Sequence, residues 1–131
     1  MRVLIVKLGA IGDIVHALPA AAAIKRNIPD AEISWVVEKR SADILRDSPV
    51  IDRLIEIDTR KKHIRNAHGK MPGLSSQASI LRRNRYDISL DMQGLLKSGL
   101  VSRIAVAKER WGFSRESLRE PVSRFMLDRT V

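Results

Sequence analysis

Val3-Leu4-Ile5-Val6 is a run of strand formers that is apolar at every position. A strand with one wet face alternates apolar and polar side chains. A run that is apolar on both parities suits a strand covered on both faces, as in a parallel sheet layered between helices. The residues that follow, Lys7-Leu8-Gly9-Ala10-Ile11-Gly12-Asp13, break the pattern with two glycines. Apolar residues then recur at helical spacing, at Ile14, Leu18, Ala21 and Ala22. Strand, glycine-containing turn and helix in that order form the first half of a strand–helix–strand unit.

The same alternation continues. Strands are predicted over 33–37, 54–57, 87–90 and 109–113, and helices over 14–27, 41–47, 74–84, 94–104 and 117–127. Pro19 is expected to delay or kink the start of the first helix. Leu74, Ala78 and Leu81 fall on one face of a helix over 74–84. Repeated crossovers of this kind imply an α/β fold, a Rossmann-like parallel sheet with flanking helices. With 131 residues the chain suits one domain, and neither an internal repeat nor a low-complexity tract divides it.

Composition narrows the function. Lys and Arg total 24 against 15 Asp and Glu, a formal charge of +9, which favours anionic partners. The absence of cysteine excludes disulfides, thiolate nucleophiles and zinc–thiolate sites. The first apolar run is too short for a signal peptide, and no stretch approaches the ~18 apolar residues of a membrane span. The chain is therefore expected to be soluble and cytoplasmic.

The turn at 7–13 is the first place to look for chemistry, because ligands of doubly wound sheets bind at the carboxyl ends of strands. Gly9 and Gly12 allow a backbone to approach a ligand closely and to adopt positive φ. The spacing matches neither the dinucleotide pattern G-x-G-x-x-G nor the triphosphate pattern G-x-x-x-x-G-K-S/T. Asp13 has two readings. One is a helix N-cap, favoured by residue type and by the helix dipole. The other is a general base at the mouth of a cleft. His16 lies on the same helical face, either packed or lining that cleft.

Two further segments carry polar side chains. Residues 59–73 hold Arg60, Lys61, Lys62, Arg65 and Lys70 with His63 and His68, and no carboxylate, so this segment reads as a solvated loop or an anion-binding one. Arg82, Arg83 and Arg85 read as a solvated helix end. The turn Asp91-Met92-Gln93-Gly94-Leu95-Leu96-Lys97-Ser98-Gly99 belongs at the same sheet edge as Asp13. Its polar residues either cap the turn, or Gln93 and Lys97 bind a polar substrate or order the first loop. No D-x-D pair occurs, so a carboxylate-held magnesium is unsupported.

Four stretches, MRVLIVKLGAIGDIVHALPA, SWVVEKRSADIL, YDISLDMQGLLKSGLVSR and WGFSRESLREPVSRF, cover most of the chain. In order and spacing they resemble the N-terminal domain of the lipopolysaccharide core heptosyltransferases, type I above all, of glycosyltransferase family 9. The resemblance implies the N-terminal half of a two-domain GT-B enzyme that works by inversion, without cofactor or bound metal. It implies an acceptor, Kdo–lipid A, held by this half at the cytoplasmic face of the inner membrane. The ADP-heptose donor would be held by a C-terminal domain. Asp13 matches the family's base, and the segment with Arg60, Lys61 and Lys62 matches in place a cationic acceptor-binding segment; Gly9, Gly12, Gln93 and Lys97, from the two turns, are the further acceptor-binding candidates. Family members are more than twice this long, so 1–131 reads as a single acceptor-binding domain, either truncated or a split subunit, and inactive alone.

A non-catalytic binding module for an anionic glycolipid or phosphorylated ligand is the alternative. A nucleic-acid partner rests on charge alone, since the chain has five aromatic residues and no recognised reading motif. The chain is expected to contact an anionic membrane surface peripherally, and not to bind nucleic acid.

Overall fold

The computed structural model describes residues 1–58, 74–112 and 128–130. The first apolar run becomes β1 (Arg2–Val6), and the helix after it is α1 (Ile11–Asn27). Then come β2 (Glu32–Glu38), a 3-10 turn (Lys39–Leu45), β3 (Arg53–Ile57), α2 (Leu74–Arg83) and β4 (Tyr86–Asp91). The described elements end with α3 (Leu96–Ile104), β5 (Ala107–Gly112) and a two-residue β6 (Arg129–Thr130).

The strands form one parallel sheet in the order β3-β2-β1-β4-β5-β6. β1 is interior, with Val6 opposite Val36 of β2 on one side and Asp91 of β4 on the other. The unbroken apolar run is explained by this position. Val3 and Ile5 pack toward α1 with Ile14, Ala17, Ala21, Trp35 and Leu45. Leu4 and Val6 pack on the opposite face with Leu81 of α2 and Val101 of α3. Both parities of β1 are therefore fully buried, and the sheet is Rossmann-like with helices on both faces.

Several boundaries differ from the sequence reading for physical reasons. α1 begins at Ile11, three residues early, and Pro19 lies inside it without delaying its start. Early in a helix the amide of a proline is not missed, but Pro19 lies two turns in, where tertiary packing of Ile14, Ala17 and Ala21 holds the helix around it. The segment expected as a helix over 41–47 is the tighter 3-10 turn, ending at Leu45, after which Asp47 takes φ 64°. β2 and β4 each extend to a charged residue, Glu38 and Asp91, beyond the apolar pattern that marked them. The segments 59–73 and 117–127 lie outside the described residues, and with them Arg60, Lys61 and Lys62.

Candidate functional site

In the order 3-2-1-4-5-6 the connection direction reverses between β1 and β4, and such sheets bind ligands beside that point, at the carboxyl ends. Here the two turns singled out in the sequence meet, residues 7–10 after β1 and 92–95 after β4. They are tied directly. The Met92 N–H donates to Val6 O at 3.0 Å, and Lys7 Nζ donates to Met92 O at 3.0 Å. Gln93 Oε1 accepts the Leu8 N–H at 3.2 Å and the Gly9 N–H at 3.5 Å.

β2 joins the same cluster. The Glu38 N–H donates to Leu8 O at 3.0 Å, and the indole Nε1 of the fully buried Trp35 donates to Lys7 O at 3.1 Å. Lys97 Nζ lies 3.4 Å from Glu38 Oε1, pairing a half-exposed ammonium with a buried carboxylate. A cavity of about 240 Å³ lined by Glu38, Lys39, Arg40 and Asp58 opens at these strand ends. A second cavity, lined by Arg2, Ser34, Asp52 and Tyr86 among others, lies at the opposite, amino end of the sheet and touches none of these turns.

Asp91 anchors the second turn. Its Oδ1 accepts the Gln93 N–H at 3.0 Å and the Gly94 N–H at 3.2 Å, and Ser98 Oγ lies 3.0 Å from its Oδ2. Burial pushes the Asp91 carboxyl up from its ordinary value. The Ser98 hydroxyl, the two amides and the Lys7 charge pull it down without overcoming the loss of solvent. Gly94 follows at φ 72°, a conformation that would strain a side chain.

Asp13 is not the N-cap expected from residue type. The N-cap is Ala10, without a side-chain cap bond, and Asp13 lies half-buried in the first turn, where a carboxylate suits the helix dipole. The positive φ expected of Gly9 and Gly12 is also absent; among the described glycines Gly94 alone has it. A Cβ built at Gly12 meets nothing within 4 Å, so the space beside it on α1 is open. At Gly9 a Cβ would meet Ser41 Oγ at 3.7 Å, an ordinary contact. His16 is exposed on the same face as Asp13. Three members of the cluster had no role in the sequence reading: Lys7, Glu38 and Trp35. The end of an apolar run in a charged residue, at Val6-Lys7 and Val37-Glu38, was the available signal.

Residues 75–131 match the model of glycosyltransferase family 9 (heptosyltransferase). Lipopolysaccharide heptosyltransferase 1 of Pseudomonas aeruginosa is 36% identical over 132 residues, covering 95% of this chain and 36% of the relative. The enzyme of the same name from Escherichia coli K12 is 34% identical, covering 98% and 41%. The solved E. coli heptosyltransferase WaaC with ADP-2-deoxy-2-fluoro heptose superposes on all of this chain at a TM-score of 0.89, with 32% identity over 42% of its own length. The chain thus spans about a third to two fifths of the length of the curated relatives it matches. Sequence and fold together place this chain in glycosyltransferase family 9, the heptosyltransferases.

Proposed function

We propose that this chain is the acceptor-binding domain of an inverting heptosyltransferase of lipopolysaccharide inner-core synthesis. The observation that carries the reading is the position of Asp13. It lies in the first turn of α1, at the carboxyl end of the interior strand and beside the open side of Gly12. A carboxylate so placed can take the proton of a hydroxyl brought against that turn. As the proton leaves, the hydroxyl oxygen attacks the anomeric carbon of the heptose from the face opposite ADP. The bond from that carbon to the ADP oxygen breaks, and its electron pair departs with ADP. The anomeric centre is inverted.

Neither nucleotide fingerprint is present in the 7–13 turn. In this reading the ADP-heptose donor is held by a separate C-terminal domain, and residues 1–131 hold the acceptor. The acceptor is a Kdo–lipid A, whose phosphates and carboxylates suit the +9 chain. Arg60, Lys61 and Lys62 meet those groups, Lys97 lies at the edge of the same site, and Gly9 and Gly12 let the sugar approach the backbone. The domain works at the cytoplasmic face of the inner membrane and touches its anionic surface peripherally. No helix among the described residues is long and apolar enough to cross a membrane.

The test is Asp13→Asn in the complete protein that carries this chain. Turnover should fall by roughly 10²–10⁴-fold, the range of general-base catalysis, with acceptor affinity kept. Turnover within a few-fold of the parent would remove Asp13 as the base.

A further inference from the structure

Gln93 stands in the sequence reading either as a group that touches the substrate or as one that orders the first loop. The amides of Leu8 and Gly9 fall between the end of β1 and the start of α1, where neither ladder nor helix supplies an acceptor. Both donate to Gln93 Oε1. Gln93 is itself 6% exposed, and its backbone is fixed from below by Asp91, which also takes the Gly94 amide and the Ser98 hydroxyl. Lys7 Nζ on Met92 O is a parallel strap between the same two turns.

We propose that Gln93 is a positioning residue, whose Oε1 fixes the Leu8 and Gly9 amides and so sets where the first turn of α1 presents Asp13. The inference rests on the transferase reading above for its kinetic consequence, but the latch itself does not. Gly9 directly precedes Ala10, the N-cap of α1, and Asp13 lies in the first turn of that helix, so a displacement of the loop carries into the carboxylate. Gln93 is buried with its Oε1 turned to the Leu8 and Gly9 amides, which suits a group that holds the loop better than one that meets an acceptor.

Gln93→Met keeps the length and bulk of the side chain and removes the acceptor oxygen. Gln93→Glu keeps an acceptor oxygen. Amide hydrogen exchange is read on this chain, and steady-state kinetics on the complete protein. Gln93→Met should speed exchange at Leu8 and Gly9 and lower kcat by about 10²-fold, the scale of an ångström of misplacement, with the acceptor KM within twofold. Gln93→Glu should recover much of both. Unchanged exchange at Leu8 and Gly9 in Gln93→Met would overturn the proposal. So would a raised acceptor KM at constant kcat, the mark of a substrate contact. If the parent transfers no heptose at all, the transferase reading fails, while faster exchange in Gln93→Met reversed in Gln93→Glu still supports the latch.

Discussion

Asp13 shows how a residue type can be right for a place and wrong for a role. Aspartate is a preferred N-cap, yet α1 starts two residues before it, and what Asp13 offers the helix is its charge near the positive end. Loss of that charge in Asp13→Asn should cost about 0.5–2 kcal/mol in chemical denaturation, short of unfolding the domain. Trp35 is the opposite case. Its indole is fully buried and satisfies Lys7 O, so Trp35→Phe leaves a buried carbonyl without that donor. A loss of about 1–3 kcal/mol in unfolding free energy is expected.

Two carboxylates give the acid range opposite slopes. Asp91 titrates higher in the folded chain because it is buried, so folding favours its protonated form. Its contribution weakens as pH rises from about 4 through that raised value. Burial also acts on Asp52, but the Lys25 ammonium at 2.6 Å and the Ile33 N–H at 2.7 Å win, and its carboxyl titrates low. The Asp52 contribution is therefore intact above about pH 4 and fades as pH falls through its lowered value. Asp91→Asn removes only the first slope. Its urea midpoint should consequently fall more steeply than the parent's between about pH 6 and pH 3. A parallel loss in both proteins would contradict the burial argument.

At the scale of elements, the strands were legible because burial on two faces writes itself as an unbroken apolar run, clearest in Val3 to Val6. Their ends were not, because Glu38 and Asp91 continue the backbone ladder while breaking the hydropathy pattern, and these two residues build the site. β6 was missed for a related reason: two residues, Arg129 and Thr130, carry no period and pair only because Trp111 and Gly112 lie beside them. Position in the site followed from topology, whereas Trp35 and Lys7 meet only through a hydrogen bond that no local pattern encodes. Among the described elements the element-level conflict is Pro19, exposed in the interior of α1. It withholds an amide from the carbonyl of Val15 while contributing little packing. Pro19→Ala should raise the unfolding free energy by roughly 1–3 kcal/mol, the helix-interior penalty less the entropy a proline removes from the unfolded chain. A destabilised variant would mean that the proline ring itself serves the packing of Ile14 and Ala21.

For the whole molecule the governing facts are a sheet with both faces covered, a formal charge of +9, and a length about two fifths that of the E. coli relative. Covered faces give the sheet a core on each side. A formal charge of +9 favours anionic ligands and involves no donor. Transfer is different, because donor and acceptor must be held in one cleft before proximity lowers the barrier. The chain alone should therefore bind an anionic Kdo-containing acceptor and release no ADP when ADP-heptose is added. Binding should weaken steadily as salt rises from ~0.05 M to ~0.5 M, since the Debye length shrinks from about 14 Å to about 4 Å over that range. Adding the donor-binding domain should restore ADP release in the parent and not in Asp13→Asn, which would separate an acceptor half from a module that only binds. Heptose transfer by the 131 residues alone would show that one domain suffices, and salt-independent binding would show that the charge is not what holds the acceptor.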